Sequence, residues 1–240
     1  MNKFLGREAA STRHRLMAHT ARALRLLMCG LLLTTAHATH AAGGHHAVDD
    51  ASILEPGQCQ LETWADRTTD GTRSSVHLGP GCRLGPVELS LGLDRIRAAG
   101  TTTVASPQVK WAVPVSDNVS LGVAASASLQ DLAPRQPVRT LLLLATWQPN
   151  DVLRLHANAG QDFRPQGLSG AHAGAAIEWQ VAPRWSLVAE RFREGGGDFW
   201  RTGARWTLND AVDIDMSRAS PWHGNSAAWW TVGVTWAFAR

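Results

Sequence analysis

A few serines and histidines are the side chains that could act together as a nucleophile and a base. Ser75 and His77 lie two residues apart, and His156 and Ser217 are further candidates. On one face of a strand, Ser75 and His77 would lie about 7 Å apart, since a strand rises about 3.4 Å per residue. No G-x-S-x-G signature accompanies them. The sequence therefore predicts no catalytic residue, and a lipid-modifying enzyme is kept only as an alternative.

Signatures of metal and phosphate binding are also missing from the sequence. No H-E-x-x-H spacing occurs, and the glycines at 195–197 are not followed by a helical pattern. His40, His45 and His46 could bind a metal ion weakly, but their surroundings are small and polar, which is typical of a flexible tether. We therefore predict no metal centre and no cofactor.

The net charge divides unevenly along the chain. The formal charge is +3, but residues 1–38 hold six basic residues and one acidic residue. The remaining 17 basic and 19 acidic residues give residues 39–240 a charge of −2. Because the excess of basic residues belongs to the first segment, no nucleic acid partner is predicted.

The first 38 residues have the pattern of a secretory signal peptide. Arg22 and Arg25 precede the short apolar run 26–33, and the small residues of Ala36-His37-Ala38 suit a cleavage site before Thr39. Met17 is an alternative start that would give a leader of ordinary length. Cleavage would leave Cys59 and Cys82 in an oxidising compartment, where an even pair of cysteines is a disulfide candidate.

From residue 58 onward, polar and apolar residues alternate with the period of β-strands. In residues 87–94, valine and leucines fall on one face, and Glu88, Ser90, Gly92 and Asp94 fall on the other. Twelve such segments are predicted. They cover roughly 58–68, 73–83, 86–97, 103–113, 118–129, 137–147, 152–160, 171–181, 185–193, 199–208, 211–218 and 227–238.

The connections between these segments alternate between short and long. Short connections such as 148–151 and 209–210 follow the even-numbered segments, and longer connections such as 161–170 and 219–225 follow the odd-numbered ones. One rim of short turns and one of long loops is typical of an up-and-down barrel. The fold class is therefore all-β: a single antiparallel transmembrane barrel of about twelve strands.

The chain resembles Gram-negative outer-membrane β-barrel proteins, small and porin- or transporter-like. The signal peptide, the even strand number, the alternation and the final strand carry this resemblance. That strand ends in Val234-Thr235-Trp236-Ala237-Phe238, followed by Ala239 and Arg240. The family's last strand typically ends in an aromatic residue that the barrel-assembly machinery binds. The resemblance covers the predicted barrel over 58–240. The leader pattern predicts a signal peptide over 1–38, and the composition of the following residues predicts a flexible periplasmic segment over 39–57.

Alternation alone does not say which face meets lipid, because a soluble lipocalin-like barrel would turn its apolar face inward. Twelve strands exceed the eight of such a barrel, and aromatic residues gather near the short-turn rim like an interfacial girdle. We therefore expect lipid contact on the apolar face. The girdle is predicted to contain Trp111, Trp179, Trp185, Trp206, Trp236 and Phe238.

The polar face would then line the lumen, where charged groups need water or partners. The residues predicted to line it are Glu62, Glu88, Asp94, Lys110, Arg154, His156, Glu178, Glu190, Arg201, Arg205, Asp213 and Asp215. Arg201 and Arg205 precede a tight turn that Asp213 and Asp215 follow, which predicts opposite charges across one hairpin. A structural ladder of ion pairs and a solute-selecting patch are both compatible with this pattern.

Turn chemistry predicts the pairing of the two cysteines. Asp70-Gly71 lies between two alternating segments and is a strong hairpin signal. With these residues as the turn, residues that face each other have numbers summing to 141, so Cys59 faces Cys82. Directly opposed Cβ atoms lie about 4.5–5.5 Å apart, close enough for a disulfide after a small adjustment.

The sequence as a whole predicts a narrow, passive outer-membrane pore or transporter for a small polar or amphipathic solute. Its charged lumen would select solutes by charge and width. Membrane lipids and the barrel-assembly machinery are the expected partners. A structural barrel with an occluded lumen is the first alternative, and a lipid-modifying enzyme is the second.

Overall fold

The computed structural model describes residues 45–131, 137–165, 169–224 and 226–240. The predicted signal peptide and His40 lie outside these residues. Twelve strands follow one another along the chain, confirming the predicted number. They are β1 (Gln58–Thr68), β2 (Ser74–Leu84), β3 (Val87–Arg97), β4 (Thr101–Ser116), β5 (Val119–Gln130), β6 (Val138–Asn150), β7 (Leu153–Phe163), β8 (Gly170–Ala182), β9 (Trp185–Glu194), β10 (Gly197–Asn209), β11 (Val212–Pro221) and β12 (Trp229–Ala239).

The strands form one closed, antiparallel up-and-down barrel. Each strand pairs with its neighbour in sequence, and β1 pairs with β12 from Gln58↔Ala239 to Thr68↔Trp229. Closure leaves no sheet edge with unpaired backbone groups. In the described part of the chain, no helix has the length and apolar character needed to cross a membrane.

The two rims of the barrel differ in the length of their connections. Five two-residue turns join the strand pairs from β2–β3 to β10–β11 at the rim where β1 begins and β12 ends; we call this the inner rim. Connections at the opposite, outer rim reach seven residues. The outer β9–β10 turn is short because Gly195 and Gly196 adopt φ values of 61° and 90°, which side chains disfavour.

The two faces of each strand differ as the alternation predicts. Outward-facing leucines, valines and tryptophans are exposed; Leu143, for example, is 62% exposed. Inward-facing polar side chains are buried; Asp215, for example, is 1% exposed. The polar residues therefore face the lumen, and the apolar residues form the outside of the barrel.

The first hairpin has the predicted register. Strands β1 and β2 pair Cys59 with Cys82 and Leu61 with Pro80, and a disulfide joins the two cysteines near the inner rim. Asp70 and Gly71 form the tip of the turn, where the Gly71 N–H donates to the Thr68 carbonyl. The disulfide prediction is therefore confirmed.

Candidate functional site

A cavity of about 900 Å³ lies in the lumen. Strands β1–β5 provide half of the residues that line it, more than the other strands together. From Gln60 to Thr68, every inward-facing residue of β1 lines the cavity, together with serines and glycines of β2–β5. Asp70 and Arg73 of the first outer turn also line it, so the cavity reaches the outer rim. We call this side of the lumen the open wall.

The residues predicted to line the lumen all lie on the inward face. Three are half-buried: Glu62, Asp94 and Arg154. Nine are buried, with exposures of 8% or less, because they contact one another or another part of the chain. These are Glu88, Lys110, His156, Glu178, Glu190, Arg201, Arg205, Asp213 and Asp215.

The lumen also contains part of the chain itself. The sequence predicted a flexible periplasmic segment over residues 39–57, but residues 45–54 lie inside the barrel; we call them the lumen segment. His45, Val48, Asp50, Ala51 and Leu54 are each 7% exposed or less. The segment extends from Leu54 near the inner rim to His45 beside β10–β12. The difference from the prediction arises because the polar groups of this segment find partners on the barrel wall and its apolar residues Val48, Ala51 and Leu54 are buried there.

The first anchor of the lumen segment is Glu190 of β9. Its carboxylate accepts hydrogen bonds from the Ala47 and Val48 backbone N–H groups at 3.2 and 3.0 Å. Arg201 lies 3.1 Å from the same carboxylate and also donates to the His45 carbonyl. His45 Nε2 shares a 2.6 Å hydrogen bond with the Ser217 hydroxyl. These contacts hold the segment against strands β9–β11.

A second anchor lies at Lys110 of β4. Its ammonium group is 2.7 Å from a carboxylate oxygen of Asp49 and 2.8 Å from one of Asp50. Closer to the inner rim, the Leu54 N–H donates to Glu88 at 2.9 Å, and Arg83 donates to the Leu54 carbonyl at 2.9 Å. The segment thus crosses the lumen from the β9–β11 side to β3 and β4.

The backbone of the segment is bound between the two anchors as well. The Ala51 N–H donates to the Thr146 hydroxyl at 2.8 Å. With its amide oriented to match donors with acceptors, Asn158 accepts from the Asp49 N–H at 2.7 Å and donates to the Asp49 carbonyl at 2.8 Å. Gly174 provides space for Val48, because a Cβ at this position would lie 2.5 Å from a Val48 methyl group. Apart from its contacts with Arg83, Glu88 and Lys110, the segment lies against β6–β11, which we call the occupied wall of the lumen.

The two histidines of the segment have opposite electrostatic environments. Burial lowers the pKa of His45, and the charges of His46, Arg201 and Arg205 lower it further. Burial also opposes the charged form of His46, but the carboxylates of Asp215 and Glu190 outweigh it and raise the pKa of His46. His46 lies 3.6 Å from Asp215 and 3.9 Å from Glu190. The bound segment therefore favours a neutral His45 and a protonated His46.

The charge pairing predicted across the β10–β11 hairpin is confirmed for Arg205. It lies directly opposite Asp215 and donates to that carboxylate at 2.9 Å, with both side chains buried. Arg201 instead lies opposite Ala219 and pairs with Glu190 on the other neighbouring strand. Asp213 accepts from the Thr207 hydroxyl at 2.7 Å. The ladder thus extends over β9–β11, because each strand has two neighbours that can provide a partner.

The candidate catalytic serine and histidine contact other groups. The Ser75 hydroxyl donates to Asp66 at 2.9 Å, while His77 Nδ1 lies 2.7 Å from Asp94 Oδ1. The Trp64 ring stacks on the His77 ring with 3.5 Å between centroids. These two residues therefore do not form a nucleophile–base pair. Among the described residues, no group of three or more His, Cys, Asp or Glu side chains could hold a metal ion.

The predicted girdle residues lie on the outward face near the inner rim. Five are exposed by 38% to 52%: Trp111, Trp179, Trp185, Trp236 and Phe238. Trp206 is half-buried because its ring stacks on that of Trp185, with 6.0 Å between centroids. Their contact with lipid headgroups stays a prediction.

Sequence reasoning missed the lumen segment and part of the open wall. Asp66 and His77 could have been found, because they alternate in phase with Glu62 and with Gly79, which also lines the cavity. Asp49 and Asp50 gave no such signal, because their partner Lys110 lies about sixty residues away and no periodicity connects them.

Comparison with known proteins assigns the family. The model of a family described as "Uncharacterised conserved protein UCP029691" matches residues 30–238. The chain belongs to this family. A search of curated proteins finds no match.

Solved porin structures share the fold of this family member. The KdgM porin matches with a TM-score of 0.63 and 10% identity, covering 75% of this chain and 99% of KdgM. A structure of the KdgM porin in complex with disordered oligogalacturonate matches with a TM-score of 0.62 and 10% identity, with the same coverage. The NanC porin matches with a TM-score of 0.57 and 6% identity, covering 73% of this chain and 98% of NanC. The protein thus has the fold of porin-like outer-membrane β-barrels, and the resemblance predicted from the sequence is confirmed.

Proposed function

We propose that this barrel is a passive outer-membrane pore for small polar or amphipathic solutes, which cross between the lumen segment and the open wall. The observation that carries the proposal is the cavity along β1. It extends from Gln60 to Thr68, which is about 26 Å of strand at about 3.3 Å per residue. Because the strands of outer-membrane barrels tilt by about 35–45°, this length covers about 20 Å of their apolar band, which is about 25 Å tall.

The charge of the cavity lining favours neutral or cationic solutes. Glu62, Asp66, Asp70 and Glu194 line the cavity together with Arg73, while Lys110 and Arg201 are bound to carboxylates. KdgM was solved with oligogalacturonate, a polyanion. The acidic excess here argues against an anionic solute of that kind, because a narrow channel repels ions of its own sign.

Conductance across planar bilayers tests the proposed pore. The purified, folded protein should give small, voltage-independent steps with a preference for cations, and the heat-denatured protein should give none. Swelling of liposomes that contain the protein should be faster with a neutral monosaccharide than with an oligosaccharide. Folded protein that conducts no ions and admits no sugar would contradict the proposal.

A structural barrel with an occluded lumen is the second candidate function. The lumen segment favours it, because Glu190, Lys110 and Asn158 all bind this segment inside the barrel. Its failure to conduct would distinguish it from a pore. A lipid-modifying enzyme is not favoured, since Ser75 and His77 contact Asp66 and Asp94 rather than each other. Ser217 does contact His45, but both are buried inside the barrel, away from its lipid-facing surface.

The proposal includes the route to the membrane. A signal peptide over 1–38 would be cleaved before Thr39, and the barrel-assembly machinery would bind the strand that ends at Phe238. The protein should be found in the outer-membrane fraction and should migrate faster on gels before boiling than after it. Recovery from the periplasm without detergent would contradict this location.

A further inference from the structure

Charged residues on the outward face of the barrel are confined to one end. Arg67, Arg95, Arg97, Arg139, Arg191 and Arg218 lie on this face, each within four residues of the outer end of its strand. Arg193 and Asp198 lie there too and pair with each other at 2.6 Å. Elsewhere on the outward face of the twelve described strands, no side chain is charged. The outer end of this face therefore carries a strong positive excess.

Strand register brings several of these arginines into one row. One row of paired residues crosses five neighbouring strands from β3 to β11. Its members, in order, are Arg97, Ser74, Arg67, Trp230 and Arg218. Arginines two strands apart are about 10 Å from each other, because neighbouring strands are about 4.8 Å apart. Arg218 lies 5.9 Å from the Trp230 ring centroid. Such a row places cations next to aromatic rings at the level of lipid headgroups.

An apolar groove of about 570 Å³ lies on the same face, over β3–β7. It forms because the small outward side chains of Ala125 and Ala127 lie between larger ones. Leu89 and Val109 border the groove on one side, and Leu141 and Phe163 on the other. Arg139 lies at its outer end, directly opposite Ala127 and Phe163. The groove thus combines an apolar surface with a cation at the headgroup end.

We propose that this groove and the arginines around it bind an outer-leaflet lipid with a phosphorylated headgroup. One acyl chain would lie in the groove, and a phosphate would contact Arg139. The inference rests on the proposed outer-membrane location. The apolar groove matches an acyl chain, and a guanidinium group can donate two parallel hydrogen bonds to a phosphate. The arginines lie only at the outer end of this face, which indicates a lipid of the outer leaflet. A lipid of the inner leaflet would present its phosphate at the inner rim.

Lipid retention by the purified full-length protein tests the proposal. Native mass spectrometry would compare a bis-phosphorylated, acylated glucosamine disaccharide with the same lipid lacking its phosphates, and with inorganic phosphate alone. The variants are R139Q, which removes the cation, and A125L, which fills the groove. R184Q is the matched control, because Arg184 is an exposed arginine in a turn at the inner rim.

The wild-type protein and R184Q should retain the phosphorylated lipid better than its dephosphorylated form. R139Q should lose about tenfold or more in affinity for the phosphorylated lipid only, the usual loss for a charged hydrogen-bonded contact. A125L should weaken retention of both lipids. Equal retention of the two lipids by the wild-type protein would overturn the proposal. So would unchanged affinity in both variants, or competition by inorganic phosphate at lipid-like concentration, which would indicate a free-anion site.

Conductance of the same variants separates this inference from the proposed pore. R139Q and A125L alter only the outward face, so their conductance should equal that of the wild-type protein. Lipid retention without any conductance would refute the pore and leave the lipid site standing. Conductance without selective lipid retention would refute the lipid site and leave the pore standing.

Discussion

The two walls of the lumen are built from the same alternating strands but have different side chains and contacts. On the occupied wall, the charged residues Glu178, Glu190 and Asp215 are buried and paired with arginines or histidines. On the open wall, small residues such as Ser90 and Ser126 are half-buried and line the cavity. Large paired side chains therefore fill one side of the barrel, whereas the serines and glycines between the larger residues of the other side leave space there.

The largest loss of stability is expected when an ion pair of the occupied wall is broken. Arg205→Leu would leave Asp215 and Glu178 buried without their shared cation. Removing one partner of a buried pair costs about 3–5 kcal/mol. We therefore expect the heat-modifiable gel band to be lost at a clearly lower temperature. Arg184→Leu at the exposed inner turn is the control and should have no effect.

Unchanged heat stability of Arg205→Leu would mean that water reaches these carboxylates. The occupied wall would then resemble the open wall, and the contrast between the two would lose its physical basis.

A somewhat smaller loss is expected on the open wall, where the Cys59–Cys82 disulfide joins β1 and β2. A bridge that closes a loop of this size contributes about 3 kcal/mol by restricting the unfolded chain. Cys59→Ser with Cys82→Ser should therefore lower the unfolding temperature, and reduction of the wild-type protein should reproduce the change. Two alkylatable thiols in protein isolated from the envelope without reductant would show that the disulfide does not form.

The pH dependence of conductance should separate the two histidines of the lumen segment. The variant His45→Gln keeps His46 as the one histidine of the lumen segment. Because the pKa of His46 is raised, the bound segment is most stable at a pH below the ordinary histidine pKa of about 6.5. That stability is lost as the pH rises through the raised pKa, so conductance should increase upward from about pH 6.5. In His46→Gln, the lowered pKa of His45 reverses the sign, and conductance should increase below about pH 6.5.

The groups that face His46 are Glu190 of β9, Arg205 of β10 and Asp215 of β11, together with His45 of the segment itself. In the wild-type protein both effects operate, so conductance should be lowest near pH 6.5 and should increase on either side of it. Identical profiles for both single variants would indicate that the segment does not respond to the charge of either histidine.

The smallest effect is expected from a single acidic residue of the open wall. Glu62→Gln removes one of several carboxylates along the cavity, so it should reduce the preference for cations slightly and leave conductance near the wild-type value. Glu178→Gln, on the occupied wall, serves as the comparison and should leave ion preference unchanged, because this group is already paired. Reversal potentials in a salt gradient measure both. A larger change of ion preference in Glu178→Gln than in Glu62→Gln would indicate that ions pass along the occupied wall, and would contradict the proposed path.

The sequence predicted the features that depend on neighbouring strands. Alternation and turn positions were enough to pair Cys59 with Cys82 and to place Arg205 opposite Asp213 or Asp215, because the register of a hairpin follows from its turn. The Arg201–Glu190 pair was missed, because only one of the two hairpins that contain β10 was considered.

The lumen segment could not be predicted for a different reason. Its contacts, such as those of Lys110 with Asp49 and of Gly174 with Val48, join residues that are far apart in sequence and lack any shared period. A segment of small polar residues looks flexible when considered alone. Only the acceptors and the space on the inside of the closed barrel give it a fixed path.

The conductance of a variant that lacks residues 45–54 shows directly whether the lumen segment narrows a pore. The deletion removes no strand residue, so the β1–β12 closure and the disulfide are retained, and heat modifiability confirms folding. We expect small conductance steps for the wild-type protein and steps several times larger for the deletion variant. Without the lumen segment, the passage would extend to the occupied wall. Equal conductance of the two folded proteins, or none from either, would contradict a pore that the lumen segment narrows.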